Sequence, residues 1–423
     1  MSIEPAGLSL APFRALRFVG DAESLGRRLC PPYDVIDASL RRELLEGDPH
    51  NAVTLVLPNP DGDPADPAPY AAAAQTLSEW VDDGVLSTDP QPAIYVYEMT
   101  TSDGDSTRGL LGAVSLREYG DGVILPHENT MAGPVADRLA LMTATEANLE
   151  PIYLVYDGGG AASSAVANVA GEPIASTRTP DGVRHKLWAI VDQPTIAAID
   201  ADLRGRRAMI ADGHHRYATY LELQRQLSSA RGRGPWDRGL TLLVDSSTYG
   251  PQVHAIHRVL VGVPFDQAVA DGDQHGDITA LEDLPQALRA IDTMPGFAAV
   301  LTDGDHFAVF HVTDSTVLSD LLDAGEPAPM ADLDVTILHR GLLPRVWMIA
   351  DREDTVLYAH DVDEALASAR ASGGTAILLR PTPIGAIVAV AAAGARMPRK
   401  STLFTPKPAS GMVIRRFSDG GSD

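Results

Sequence analysis

Ala211-Asp212-Gly213-His214-His215-Arg216-Tyr217 concentrates reactive side chains more densely than any other stretch of this chain. Ala208 to Ala211 reads as a brief buried strand and Tyr217 to Ser228 as a helix, so the glycine falls at a strand-to-helix turn. A helix start leaves backbone N–H groups unsatisfied and carries a partial positive charge, which together bind anions. Gly213 lets the backbone approach a ligand closely, and Arg216 offers a planar, bidentate clamp for phosphate. His214 and His215 exchange protons near neutral pH. The competing reading makes Asp212 a turn residue and the histidines local packing. Two histidines and an arginine in one such turn favour phosphate handling.

Three further constellations carry chemistry. In His127-Glu128-Asn129-Thr130 a glutamate follows a histidine directly after a proline-limited strand, which suits a general base or a metal-held carboxylate. Met131 stands where a zinc protease of the His-Glu-x-x-His type needs its second histidine, so that class is excluded. Asp137-Arg138 follows on the next helix, with Arg138 a candidate phosphate ligand. Cys30-Pro31-Pro32-Tyr33-Asp34 is a rigid connector presenting Tyr33 and Asp34, the latter a second candidate base. Met397-Pro398-Arg399-Lys400-Ser401-Thr402, followed by Lys407 and Gly411, places Lys400, Ser401 and Thr402 as an anion site without the glycine spacing of a P-loop. His257-Arg258, Asp334 and His339 read as structural, and Cys30 as core. No Gly-x-Ser-x-Gly elbow supports a serine hydrolase.

The elements that must position these residues are mixed. Strands are predicted at Ala52–Leu57, Ala93–Met99, Leu110–Leu116, Pro151–Tyr156, Arg184–Val191, Leu240–Val244, Phe307–Val312 and Thr375–Leu379. Helices are predicted from Asp37 to Glu46, Tyr70 to Asp82, Pro134 to Asn148, Thr195 to Leu203, Asp266 to Ala270, Leu284 to Ile291 and Val362 to Ala371. Pro58 to Pro69 is a loop, and Gly158 to Gly171 a small, glycine-rich mobile stretch. A Gly/Arg-rich break from Ser229 to Gly239 divides the chain into an N-terminal α/β domain, 1–235, and a C-terminal α/β domain, 236–423.

With 423 residues, two domains are natural. The 33 Lys and Arg face 57 Asp and Glu, a formal charge of −24 that repels nucleic acid phosphates and anionic membranes while leaving a small anionic ligand possible in a focused cleft. Aromatics at 5% argue against base-stacking platforms. The single cysteine forms no internal disulfide. Met1 to Leu16 lacks the design of a signal peptide, and the apolar run Pro383 to Ala395 is too short to span a bilayer. These features point to the cytoplasm.

Phe13-Arg14-Ala15-Leu16-Arg17, Pro31-Pro32-Tyr33-Asp34-Val35-Ile36, His127-Glu128-x-Thr130, Asp137-Arg138, the Ala211–Tyr217 motif, Leu333-Asp334-Val335 and Met397-Pro398-x-Lys400-Ser401-Thr402 together resemble the uncharacterised prokaryotic family called domain of unknown function 1015. The resemblance runs from near residue 10 to near residue 415. The Gly213–Arg216 turn alone is also similar to the glycine-x-x-arginine helix start of ParB-type domains, sulfiredoxins and the archaeal ADP-dependent free serine kinase. That similarity implies a ParB/sulfiredoxin-like nucleotide-binding core within a mixed α/β fold, followed by a second C-terminal α/β subdomain. It further implies phosphate at Gly213–Arg216, a nucleotide (ADP or ATP) with Mg²⁺, and transfer to a small hydroxyl metabolite such as serine. His214 stands at the reactive cysteine of sulfiredoxins, which excludes sulfinate reduction through a thiol. Kinase and phosphomonoester hydrolase use the same parts. The alternative from another class is a non-catalytic nucleotide-binding regulator of the ParB type. No nucleic acid or membrane partner is expected.

Overall fold

A computed structural model describes residues 7–60, 62–323, 325–352 and 354–419. Asp61 of the expected Pro58–Pro69 loop, and residues 1–6 of the start read for a signal peptide, lie outside the described residues. The chain divides into two compact units. The first comprises residues 1–126, 130–251 and 406–423, the second 127–129 and 252–405. The division therefore falls later than the Gly/Arg-rich break, and the tail returns to the first unit. The strand after that break, Arg238–Asp245, is the reason: it lies inside the first unit's sheet.

That sheet has nine strands. In chain order they are β1 (Leu10–Ala11), β2 (Ile94–Thr100), β3 (Ser106–Ser115), β4 (Ile124–Leu125), β5 (Ile152–Tyr156), β6 (Ala175–Arg178), β7 (Arg184–Ile190), β8 (Ala208–Asp212) and β9 (Arg238–Asp245). The spatial order is β4-β8-β5-β9-β3-β2-β7-β6, with β1 also on β3. The β4–β8 and β5–β9 pairs are parallel and the others antiparallel. All five residues of β5 are buried, so the sheet is covered on both faces there. Ile152 and Leu154 share a core with Ile210, Tyr217, Tyr220 and Leu221. Helix α1 (Ala132–Thr145) packs against α2 (His214–Arg231), which follows β8.

In the second unit a six-stranded antiparallel sheet comprises β10 (His257–Leu260), β11 (Asp277–Leu281), β12 (Phe297–Thr302), β13 (Phe307–Val312), β14 (Val356–Ala359) and β15 (Thr375–Leu379), ordered β11-β13-β12-β15-β10-β14. Val259, Val300, Val309 and Leu378 form its core with Ile291 and Ala365 from its helices. Both units are mixed α and β, as the sequence predicts.

Ala52–Leu57 is not a strand. Val53–Val56 is a helical turn, because buried Asn51 accepts from Val53 N (2.9 Å) and donates to the carbonyls of Arg27 (2.7 Å) and Leu29 (3.0 Å). That local side-chain-to-backbone geometry overrides the β preference of the valines. Gly158–Gly171 contains the helix Gly160–Ala167, which Ala162 and Val166 pin to the core. The predicted Pro134–Asn148 helix ends at Thr145, and Ala147–Asn148 pairs with Arg415–Arg416 instead. Among the described residues, no helix is long and apolar enough to cross a membrane. The apolar run near the C-terminus forms the nine-residue helix Ile384–Ala392.

Candidate functional site

The first unit's site is built at the end of β8. The pairing of β8 with β5 slips between Ile210 and Asp212, so Ala211 is the extra residue of a bulge. Such a bulge redirects the residue that follows it. Gly213 then takes φ +91°, a left-handed conformation that L side chains rarely adopt, and α2 begins at His214 with no side chain capping it. A Cβ on Gly213 would lie 3.2 Å from both Arg216 Nε and Ile152 Cγ2.

Arg216 does not stand open as a clamp. It is 1% exposed, donates to Pro151 O at 2.5 Å and pairs with the Asp212 carboxylate. Its Nε is buried with no hydrogen-bond partner. Burial alone would make the guanidinium less basic, but Glu150, Asp212 and Asp34 raise its pKa and keep it charged. Burial would likewise raise the Asp212 carboxyl, yet Lys407 and Arg216 overcome this and hold it down to about 2. His214 is buried, and His215 Nε2 accepts from Met131 N at 3.0 Å, just ahead of α1.

Arg138 is similarly enclosed. It donates to Val56 O (2.5 Å), pairs with Asp137 (2.5 Å), lies 3.6 Å from Glu150 and stands 4.0 Å above the Tyr33 ring. Buried Glu150 also accepts from Tyr33 N (3.0 Å) and Ser410 Oγ (2.8 Å). Asp34 sits in the one-turn helix Tyr33–Val35 that follows the two prolines, with 41% of its side chain exposed. Lys407 Nζ lies 2.6 Å from Asp212 and 3.4 Å from Asp34. Burial works against the ammonium, but Asp212 and Asp34 outweigh it and raise its pKa. Of the predicted residues, Asp34, Arg138, Gly213, His214, His215 and Arg216 are thus gathered in the first unit. Lys407, Glu150 and Ser410 complete the group. The sequence flags Lys407 only as a neighbour of the Lys400 run, and nothing in local spacing marks Glu150 as the partner of Arg138.

Glu128, Lys400, Ser401 and Thr402 belong to the second unit. There His127 Nε2 meets Thr402 Oγ1 at 3.0 Å, the His127 carbonyl accepts from Met397 N (2.9 Å), and Ser401 Oγ donates to Pro398 O (2.5 Å). Buried Arg258 donates to Lys400 O (2.8 Å) and to His339 Nε2 (2.8 Å). Its pKa is lowered to about 10 by burial, against the pull of Tyr358, Asp351 and Glu128. The Lys400 side chain is exposed on a left-handed backbone (φ +54°). Asp334 is paired with Arg380 at 2.7 Å.

Among the described residues, no three or more His, Cys, Asp or Glu side chains are placed to hold a metal ion. At this turn Asp212 pairs with Arg216 and Lys407, and Glu150 with Arg138, so these two carboxylates face cations of the protein. A phosphate suits the start of α2 better: its N-cap, Gly213, has no side chain to cap the helix end, and a buried guanidinium nitrogen lacks a hydrogen-bond partner.

A family model described as "Protein of unknown function (DUF1015)" matches residues 10–336. No curated protein matches the chain. Among solved structures, a free serine kinase in complex with AMP is 13% identical, with 67% of this chain and 83% of that one covered and a TM-score of 0.34. SbnI with a C-terminal truncation from Staphylococcus aureus is 13% identical over 72% and 86%, with a TM-score of 0.36. A conserved hypothetical protein from Pyrococcus furiosus is 14% identical over 70% and 93%, with a TM-score of 0.32. Likenesses this distant assign no activity to the chain.

Proposed function

This chain belongs to the DUF1015 family, and we propose that it is a phosphoryl-transfer enzyme with its phosphate site at the start of α2. The observation that carries the proposal is the uncapped α2 terminus behind Gly213, with the orphaned Arg216 Nε beside it. Backbone N–H groups there receive the phosphate oxygens, and the enclosed guanidinium supplies positive potential without direct contact. The sequence resemblance of the Gly213–Arg216 turn supports a nucleotide, ADP or ATP, as the phosphate carrier and a ParB/sulfiredoxin-like core around it. Mg²⁺ accompanies the nucleotide in this proposal, with no protein ligand set assigned to it.

Asp34 is the base because its carboxylate is the partly exposed one beside this turn. It takes the proton from the acceptor hydroxyl as that oxygen bonds to phosphorus. The bond from phosphorus to the carrier's leaving oxygen breaks, and its electrons stay on that oxygen. A small alcohol such as serine as acceptor gives a kinase, and water acting on a phosphomonoester gives a phosphatase. Positioning and charge neutralisation are most of what such a reaction needs.

The test begins with a thermal-shift screen against nucleotides and phosphorylated metabolites. With a ligand in hand, Asp34→Asn is expected to retain binding while turnover drops about 10²- to 10⁴-fold. Glu128→Gln in the second unit is the companion variant. Normal turnover in Glu128→Gln with loss in Asp34→Asn assigns the proton to Asp34, and the reverse assigns it to Glu128. A wild type that binds nucleotide but transfers phosphate to neither alcohols nor water sinks the enzyme reading and leaves the nucleotide-binding regulator.

A further inference from the structure

We propose that Lys407 is the side chain that contacts the bound phosphate, and that Asp34 engages it until the phosphate arrives; this rests on the phosphate site proposed at the start of α2. The two arginines expected for that role are enclosed. The side chains of Arg138 and Arg216 are each 2% exposed, and apart from the enclosed Arg216 Nε their guanidiniums face carboxylates and backbone carbonyls. Lys407 is 16% exposed and comes from the tail that returns to the first unit.

An ammonium has three N–H donors. One is in a short, charge-assisted contact with Asp212 Oδ1 at 2.6 Å. A second reaches Asp34 Oδ2 at 3.4 Å, a long contact to a half-exposed carboxylate. No third acceptor for Lys407 is found among the described residues. The two carboxylates are not equivalent. Asp212 is fixed by the bulge in β8 and by Arg216, so it anchors the lysine. Asp34 holds it weakly, because an exposed, long ion pair contributes little. A phosphate at the start of α2 takes the free donor and then the one held by Asp34. The lysine's flexible four-carbon stem permits this turn without breaking the Asp212 contact. Asp34 is thereby released as its carboxylate is needed for the hydroxyl proton. Phosphate occupancy and base availability become one event.

The experiment measures binding of ADP and of inorganic pyrophosphate to the full chain by calorimetry, with melting curves as the control for folding. Lys407→Gln is expected to weaken both ligands roughly 10- to 100-fold, the loss of one charge-assisted contact. Because Lys407 also neutralises Asp212, this variant risks misfolding, so Asp34→Asn is the second arm. It removes the competitor for the lysine and is expected to tighten both ligands about 3- to 10-fold while turnover falls. A purely structural lysine predicts no such opposition between affinity and rate. Unchanged affinity in a folded Lys407→Gln, or no tightening in Asp34→Asn, overturns the assignment while leaving the phosphate site standing. Failure of the folded wild type to bind either probe overturns the phosphate site itself.

Discussion

At Gly213 the backbone conformation and the crowding act in the same direction. Any side chain there must adopt φ +91° and place its Cβ 3.2 Å from the Arg216 guanidinium. Gly213→Ala is therefore expected to destabilise the first unit by about 1–3 kcal/mol and to abolish phosphate binding. Chemical denaturation and calorimetry read the two effects separately, and a neutral substitution would remove the turn from the site. The glycine was legible from sequence because a strand running into Asp-Gly before a helical pattern leaves few other geometries. Arg216 was legible only as a charge. That its guanidinium turns inward to Asp212 and Pro151 depends on where β5 begins, which no local spacing encodes. For the same reason Lys407 could not be ranked above Lys400: only the folded chain brings it to Asp212.

Among the elements, α1 is tied into the first unit through Arg138. One buried guanidinium ties this helix to the Val53–Val56 turn, the Tyr33 ring and Glu150. Arg138→Met keeps much of the volume but leaves Glu150, 4% exposed, without its ion-pair partner and with the Arg216 guanidinium as the remaining charge nearby. The expected loss is about 3–5 kcal/mol, read as a lowered denaturation midpoint. Glu150→Gln added to Arg138→Met should recover part of it, and a double variant no better than the single would show that packing, not charge, is lost. Long periodic helices and the Ile94–Ser115 hairpin were readable because pattern and turn residues agree there. The Val53–Val56 turn was not, since its cause is the side chain of Asn51.

For the whole molecule, buried neutral histidines contribute to the acid limit. Burial lowers His185 in the first unit and His257 in the second from 6.5 to about 4. The unfolded chain takes up these protons near pH 6.5 while the folded chain stays neutral until about pH 4. Stability is thus full above pH 6.5 and falls as pH drops through that window, by about 3 kcal/mol per histidine. Melting temperature against pH should show the fall, and His185→Gln should lessen it; a flat profile would contradict the buried neutral state. The order of synthesis bears on the same unit. The strands of its sheet end at Asp245, yet Lys407, Ser410 and Arg415 belong to it as well. On the ribosome, domains generally fold as their residues emerge. The sheet is therefore translated in full about 160 residues before the lysine that bridges Asp34 and Asp212. A nascent chain displays Asp212 and Asp34 without the tail, and a message cut short after β15 yields a protein that keeps both carboxylates and lacks the Lys407 ammonium that joins them.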